Sequence, residues 1–315
     1  MPEMAVPPAV NETNDMNNAT IGYLSPTQGI RIRWGVWKTH SQVQRGTVLL
    51  LAGRGEYLEK YHETATDLIK RGFDVYSFDW RGQGLSSRML PNRQKGFVRT
   101  YDDYLVDLDA FIQTIMLPSA RTPYYLLAHS MGGHIGLRYL HDHLDLFKRT
   151  VLTAPLIDIA MPSLQKKVLR VFVRLAIKLG LGKLYVPGAG DRKPQGQRLE
   201  TNRLTSDPIR FERMNRQLTK NPDLALGGVT LQWLLATFLS IDRLCGMGFP
   251  ERIEMPVLVV SAGNDKIVSN KALAYINNRL PHSRLFTLKN AKHEILVEAD
   301  EIRALFWKAF DDFLK

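Results

Sequence analysis

The most constraining feature of the chain is a serine between an apolar run and a helical pattern. Residues 124–133 read YYLLAHSMGG, and a helix-like pattern continues through Leu140. A serine on a sharp strand-to-helix turn projects its hydroxyl from a sheet edge, beside backbone N–H groups that can face a reacting carbonyl. The small residues needed two positions to either side are Ala128 and Gly132. The pattern predicts that Ser130 is a nucleophile, although an ordinary strand–helix junction can carry a serine by chance.

Apolar strands and amphipathic helices alternate along most of the chain. Strands are predicted at residues 30–37, 47–51, 73–80, 124–127, 150–154, 257–261 and 284–288, and helices at residues 57–71, 101–117, 271–280 and 299–314. Apolar strands separated by helices indicate an α/β fold, with a mostly parallel sheet covered on both faces. Helical patterns dominate from about residue 156 to 250. This predicts a helical cap at 156–250, inserted into an α/β core of residues 21–155 and 251–315.

The N-terminal residues and the cysteine content bear on the compartment. Residues 1–20 are polar and Asn-rich, which predicts a disordered segment without the basic start and apolar stretch of a signal peptide. No run approaches 18 uninterrupted apolar residues. The single cysteine, Cys245, cannot form an internal disulfide, and no Cys/His cluster has zinc-ligand spacing. We therefore expect a cytoplasmic protein that binds no metal. Any membrane contact is expected to be peripheral, on the inner face of the membrane.

Two further side chains are candidates for activating Ser130. A serine hydroxyl needs an aligned base, and the base needs an orienting acid. Asp265 follows the strand predicted at residues 257–261, and His293 follows the strand predicted at 284–288. The carboxyl ends of parallel strands meet at one edge of a sheet, so these three groups are expected together. Their order along the chain, serine, acid and then histidine, makes coincidence improbable.

The oxyanion of such a reaction requires two backbone donors. One is expected from the residue after the nucleophile, Met131, and the other from the loop after an early strand. Residues 51–56 read LAGRGE, and the backbone N–H of Arg54 is the candidate. A glycine-rich turn that only connects strand to helix is the alternative. The segment lacks the spacing and the Lys-Ser/Thr pair of a phosphate-binding loop.

Five segments together carry a family resemblance. They are AGRGEY at 52–57, FDWRGQGLS at 78–86, AHSMGG at 128–133, AGND at 262–265 and AKHEIL at 291–296. In this order they resemble the monoacylglycerol lipase and bacterial lysophospholipase group of α/β-hydrolases. The resemblance implies the α/β-hydrolase fold and a catalytic triad of Ser130, Asp265 and His293. The chain departs from the family pattern at Ala52, usually histidine, and at Ala128, usually glycine.

The loop at 78–86 is a signature of that family. We assign it a structural role, in which Asp79 and Arg81 brace the loop.

The predicted cap is strongly basic. It holds 15 Lys/Arg against 7 Asp/Glu, most of the net charge of +11 of the whole chain. Within residues 164–183 an apolar row follows helical spacing, and basic residues four apart lie on another side. The row comprises Leu164, Val168, Val171, Phe172, Leu175 and Leu179, and the basic residues are Lys166, Arg170, Arg174 and Lys178. Such a helix can lie on an anionic membrane, or it can pack on the core as a lid.

Nucleic-acid binding is not indicated, because no recognised motif accompanies the charge. Trp233 and Phe238 belong to an apolar cluster that forms either the core of the lid or an acyl pocket, and they are candidate substrate-binding residues.

The leading functional hypothesis is an esterase that cleaves single-chain lipids, lysophospholipid or monoacylglycerol, through an acyl-enzyme on Ser130. Water completes such a reaction, so no cofactor is expected. A small-ester hydrolase or an aminopeptidase with the same triad is an alternative. A non-catalytic lipid-surface binding module is an alternative from a different class. Acyl length, head group and oligomeric state are open at this point.

Overall fold

One mixed sheet organises the protein. The computed structural model describes residues 18–192 and 199–315. Within these ranges eight strands pair in the order β1-β2-β4-β3-β5-β6-β7-β8. The strands are β1 (Ala19–Leu24), β2 (Ile32–Trp37), β3 (Gly46–Leu51), β4 (Phe73–Phe78), β5 (Tyr124–His129), β6 (Arg149–Thr153), β7 (Val257–Ala262) and β8 (Ser283–Leu288). The β1–β2 and β2–β4 pairings are antiparallel and all others are parallel, which confirms the mostly parallel sheet.

Helices connect the strands and pack against the sheet. They are α1 (His62–Lys70), α2 (Asp102–Phe111), α3 (Met131–Asp142), α4 (Ser163–Lys178), α5 (Pro208–Lys220), α6 (Leu231–Leu244), α7 (Asn270–Asn277) and α8 (Asp300–Leu314). Short 3-10 turns lie at Leu58–Tyr61, Leu181–Lys183, Leu199–Thr201, Pro222–Leu224, Pro250–Arg252 and Ile295–Val297, and a π turn at Ile112–Met116. The strands β3 to β7 are fully buried or nearly so, which explains their uninterrupted apolar sequences.

The first strand corrects the expectation for the N-terminus. Ala19 and Thr20 begin β1, although residues 1–20 were expected to be disordered; residues 1–17 lie outside the described residues. The strand β1 is at the sheet edge and only half-buried, so it lacks the apolar run that identified the other strands. Its place in the sheet comes from antiparallel pairing with β2. The expectation was wrong at these two residues because long-range pairing outweighs weak local patterning.

The helices α4, α5 and α6 all lie between β6 and β7, within the predicted cap. The helix α4 packs on α6 through Val173 and Ala176, which join Leu231, Leu234 and Phe238 in one apolar cluster. The predicted apolar row of α4 does not take part in this packing. Its six residues are between 44% and 74% exposed. The row therefore faces away from the protein, contrary to the expectation for a lid packed through that face.

Polar contacts join the helical segment to the core. His134 on α3 contacts Ser240 on α6 at 2.6 Å, and Arg138 donates to the same hydroxyl at 3.0 Å. Arg210 on α5 forms ion pairs with Glu63 on α1 (2.5 Å) and Asp300 on α8 (2.6 Å). These contacts attach α6 to α3, the helix after Ser130, and attach α5 to α1 and α8. No helix in the described part of the chain is long and apolar enough to span a bilayer.

The start of α3 packs directly on the backbone at the end of β3. A Cβ on Gly132 would stand 2.5 Å from the carbonyl oxygen of Ala52 and 2.6 Å from that of Leu51. At Gly136, one turn later, the nearest atom to a Cβ would be a side-chain methyl of Leu126, at 3.1 Å. Glycine is therefore required at position 132 by rigid backbone, whereas position 136 faces a side chain that can move.

These two glycines provide a matched stability test. Gly132→Ala should destabilise the protein by about 1–3 kcal/mol, because the methyl group forces backbone apart. Gly136→Ala should change stability far less, since a small steric cost is offset by about 1 kcal/mol of helix propensity. Thermal unfolding of both variants measures the difference. Equal melting temperatures for the two variants would contradict the assigned packing.

Candidate active site

The nucleophile candidate occupies a strained turn between β5 and α3. Ser130 has φ 49° and ψ −115°, outside the regions that ordinary residues adopt. Its N–H donates to the carbonyl of Thr153 on β6 (3.0 Å), and its carbonyl accepts from the N–H groups of His134 (3.1 Å) and Leu156 (2.9 Å). Backbone contacts on both sides thus hold the conformation. The strain directs the hydroxyl away from the sheet edge, as the sequence pattern predicts.

Sheet topology brings the three predicted groups together. Asp265 follows β7 and His293 follows β8, both close to β5 along one edge of the sheet. The Nε2 atom of His293 lies 2.9 Å from Ser130 Oγ, and its Nδ1 lies 2.7 Å from Asp265 Oδ2. With the proton on Nδ1, His293 donates to the carboxylate and accepts from the serine hydroxyl. This geometry allows the imidazole to take the serine proton.

The environment favours the ionised form of Asp265. Burial acts to raise its pKa, but hydrogen bonding and charge interaction with His293 outweigh burial and lower the pKa overall. The N–H groups of Ile267 (2.7 Å) and Val268 (3.0 Å) donate to the other carboxylate oxygen and add to this effect. Asp265 can therefore hold one imidazole tautomer and stabilise the imidazolium that forms during reaction.

A second histidine beside the site stays neutral. His129 precedes the serine, and its ring centroid lies 4.9 Å from that of His293. Burial lowers the pKa of His129 to about 4, and the neighbouring His293 contributes in the same direction. Its Nδ1 contacts the Thr153 carbonyl at 3.0 Å. His129 thus packs beneath the candidate base without competing for protons at neutral pH.

The loop after β3 lies against the nucleophile. Leu51 pairs with Ala128 across β3 and β5, so the loop begins beside the serine turn. A Cβ at Gly53 would stand 3.2 Å from Ser130 Cβ. Among the described residues, no protein acceptor receives the backbone N–H of Arg54 or Met131. Both N–H groups are therefore available to an oxyanion formed at Ser130.

Gln83, which was not predicted from the sequence, supports this loop. Gln83 donates to the carbonyl of Gly53 (2.8 Å) and accepts from the N–H of Gly55 (3.1 Å). It thereby fixes the peptide units on both sides of Arg54. Gln83 belongs to the quoted segment at 78–86, so the motif itself contained the signal.

Asp79 braces the loop after β4 through a partner that the sequence did not indicate. Its carboxylate accepts from the N–H groups of Leu58 and Leu85, each at 2.9 Å, and pairs with Arg33 at 2.9 Å. Arg81 instead forms a double hydrogen bond with Asp107 on α2, with both distances 2.6 Å. The two residues have structural roles, as expected, but they act through different contacts.

The segment before α5 holds the loop that carries His293. The carbonyl of Leu204 accepts from the N–H of Glu294 at 2.8 Å. The buried carboxylate of Glu298 accepts from the N–H of Lys292 (2.6 Å) and from the N–H of Ser206 (2.8 Å). Glu298 therefore ties the histidine loop to this segment. Nothing in the local sequence pattern singles it out, because its contact with Ser206 joins segments 92 residues apart.

A cavity of about 970 Å³ opens over Ser130 and His293. Its apolar lining includes Tyr57, Leu204, Phe211, Met214, Leu218, Leu226 and Ile267, and its charged lining includes Arg54, Glu56, Lys60, Asp191, Arg192 and Glu294. Trp233 and Phe238, the candidate substrate-binding residues, do not line it. Trp233 lies beneath the Arg54 guanidinium, 5.3 Å from ring centroid to Cζ, and Phe238 packs in the α4–α6 cluster. Both are buried because α6 turns them towards other helices.

The charged lining contains one compact cluster. Lys60 pairs with Glu56 at 2.8 Å and with Glu294 at 2.6 Å. Burial acts to raise the pKa of Glu56, yet the charge and the hydrogen bond of Lys60 act in the opposite direction, and the net effect lowers the pKa to about 2. Burial raises the pKa of Glu294. Across residues 18–192 and 199–315, no group of three His, Cys, Asp or Glu side chains is arranged to hold a metal ion.

The family comparison covers most of the chain. Residues 42–300 match the family model described as serine aminopeptidase, S33. The chain is 35% identical to the probable lysophospholipase L2 of Haemophilus influenzae, over 93% of this chain and 91% of that protein. It is 33% identical to lysophospholipase L2 of Escherichia coli K12, over 84% of this chain and 79% of that protein.

Solved structures with this fold include a soluble variant of monoglyceride lipase from Saccharomyces cerevisiae, in complex with a substrate analogue. It aligns with a TM-score of 0.73 at 22% identity and covers 98% of each chain. The sheet order and the strained serine turn are consistent with this fold, and the family match covers residues 42–300. This chain belongs to the serine aminopeptidase S33 family of α/β-hydrolases.

Proposed function

We propose that the protein is a serine hydrolase that cleaves carboxylic esters of single-chain lipids through an acyl-enzyme on Ser130. The observation that carries the proposal is the hydrogen-bonded series of Ser130, His293 and Asp265 at the floor of a large, partly apolar cavity. The relatives named lysophospholipase L2 support a lipid ester as substrate. Phe211, Met214 and Leu218 give the cavity a wall on which an acyl chain can lie.

In the proposed reaction, each of these residues takes part in a defined chemical step. Ser130 Oγ attacks the ester carbonyl while His293 Nε2 takes the hydroxyl proton. The carbonyl oxygen becomes an oxyanion and accepts from the N–H groups of Arg54 and Met131. The C–O bond to the leaving alcohol then breaks, and His293 returns the proton to that alcohol. Water repeats the sequence on the acyl-enzyme and releases the fatty acid, with Asp265 orienting the imidazole throughout.

The alternatives receive less support. A small-ester hydrolase or an aminopeptidase would use the same triad, and the family description names a serine aminopeptidase. The relatives at 33% to 35% identity that align over at least 84% of this chain, however, are named lysophospholipase L2. A non-catalytic lipid-binding module would have no use for an intact triad and two free oxyanion donors.

Ser130→Ala should abolish covalent labelling by a fluorophosphonate probe. Hydrolysis of a single-chain lipid ester should fall at least about 10³-fold, because the nucleophile is removed while the cavity is retained. The control is Ser163→Ala, at the exposed start of α4, which should label and hydrolyse like the wild type. Undiminished labelling of the Ser130→Ala protein would overturn the assignment of the nucleophile.

We further propose that α4 contacts an anionic membrane surface. Its exposed row contains Leu164, Val168, Phe172 and Leu179. A row of large apolar side chains in water is unfavourable, and burial among acyl chains would relieve that cost. The side of α4 that packs on α6 is a different one.

The basic residues beside the row fit such a surface. Lys166 pairs with Asp158, and Arg170 pairs with Asp242 at 2.7 Å, so these two are neutralised. Lys167, Arg174 and Lys178 are exposed, and within the described ranges they form no ion pair. A cation near an anionic surface contributes about 1 kcal/mol. The proposed contact therefore combines an apolar row with exposed positive charge.

The double variant Val168→Asp/Leu175→Asp should lower binding to vesicles of anionic phospholipid at least tenfold, since two apolar anchors are lost and two negative charges are added. Leu305→Asp on α8, where the leucine is similarly exposed, is the matched control and should bind as the wild type does. Co-sedimentation measures both. Hydrolysis of a short soluble ester should be unchanged in either variant, because α4 does not line the cavity. Wild-type vesicle binding by the double variant would refute the contact.

A further inference from the structure

Two arginines that line the cavity lack the carboxylate partner that several buried arginines of the core have. Arg33 pairs with Glu59, Arg81 with Asp107, and Arg303 with Asp67. Arg54 and Arg192 are partly buried, yet neither forms an ion pair with any carboxylate in the described ranges. A guanidinium that is removed from water is costly unless an anion accompanies it. Within the described ranges, neither of these two cavity-lining guanidinium groups has a protein carboxylate at ion-pair distance.

The side chain of Arg54 is held in a fitted cradle. Its Nη2 donates to the carbonyl of Gly227 at 2.6 Å, and the guanidinium lies over the ring of Trp233. A Cβ at Gly96 would stand 2.5 Å from Nη2, so the glycine makes room for the group. The buried Nε has no hydrogen-bond partner in the described part of the chain. The side chain is therefore fixed in place while part of its donor capacity is unused.

Arg192 faces the same cavity from the segment after α4. Its Nη2 donates to the side-chain oxygen of Asn215 at 3.0 Å, and its backbone N–H donates to Gln94 at 2.6 Å. Burial lowers the pKa of Arg192. Burial likewise lowers the pKa of Arg54, to about 10, so that side chain is a cation at neutral pH. A guanidinium is in general protonated in proteins, and Arg192 is therefore also a cation. Like those of Arg54, the hydrogen bonds of Arg192 go to neutral groups, and the charge of Glu294 acts on it only from beyond ion-pair distance.

The carboxylates that line the cavity are already engaged. Glu56 and Glu294 both pair with Lys60. Asp191 accepts from Asn92 at 3.0 Å and from the hydroxyl of Tyr185. None of the three forms an ion pair with Arg54 or Arg192. An anionic group of the ligand would therefore displace no ion pair of the protein at Arg54 or Arg192.

We infer that the side chains of Arg54 and Arg192 form a subsite for a phosphate in the head group of the substrate. The inference rests on the proposed function and narrows it, because it favours lysophospholipid over neutral monoacylglycerol. The backbone N–H of Arg54 is a candidate oxyanion donor, so its side chain begins at the reacting carbonyl. In a lysophospholipid the phosphate is joined to that carbonyl through glycerol. The planar guanidinium, with several N–H donors, suits phosphate oxygens.

The test compares two substrates that share one acyl chain, a lysophosphatidylglycerol and a monoacylglycerol. Arg54→Met should lower the ratio of their kcat/KM values, phosphate-bearing over neutral, about tenfold or more, since a charged hydrogen-bonded contact is lost. Arg54→Lys should restore part of the ratio, and Arg192→Met should lower it in the same direction. The control is Arg252→Met, an exposed arginine, which should leave the ratio unchanged.

A second readout is independent of turnover. Glycerol 3-phosphate should slow fluorophosphonate labelling of Ser130 in the wild type and should protect Arg54→Met at least tenfold less well. An unchanged substrate ratio in Arg54→Met, or an equal loss on both substrates, would overturn the subsite. Failure of the wild type to hydrolyse either lipid would instead overturn the proposed function, so the two outcomes are distinguishable.

Discussion

The strained backbone at Ser130 is the constraint on which the site depends. Its positive φ is sustained by hydrogen bonds to Thr153 on one side and to the turn of α3 on the other. The same turn brings the start of α3 onto the end of β3, where only glycine fits at position 132. Because β3 and β5 are paired neighbours, the loop that offers the Arg54 N–H lies against the nucleophile. Sheet pairing, a glycine contact and a strained serine thus form one unit.

Much of this unit could be predicted from sequence because its signals are local. Buried parallel strands have apolar sequences, and each candidate residue follows such a strand closely, so Ser130, Asp265 and His293 are predictable from the sequence. The structure accommodates Ala128, where the family usually has glycine. The Ala128 Cβ is buried and faces Gly136, and a Cβ built on Gly136 would stand 3.8 Å from it. A small side chain suffices at that position.

What the sequence could not give depends on contacts between distant segments. The spacing on α4 identified an apolar row but not its direction; packing through Val173 and Ala176 turns the row outward. The half-buried edge strand β1 has no strong pattern of its own. Two other features depend on contacts between residues far apart in sequence. Glu298 ties the histidine loop to Ser206, and the Arg54 side chain is held at the carbonyl of Gly227. Local sequence patterns thus identify the candidate catalytic residues, whereas tertiary packing determines which groups surround them.

The central claim is that Ser130 becomes acylated by a lipid ester. Rapid acid quenching of the enzyme during turnover of a lysophospholipid, followed by tryptic digestion and mass spectrometry, tests it directly. The peptide spanning residues 122–138 should gain the mass of the acyl group, with fragmentation placing it on Ser130. The adduct should appear before fatty acid accumulates and should vanish as substrate is exhausted. Steady release of fatty acid under these conditions, with the acyl group on another residue, would contradict the account.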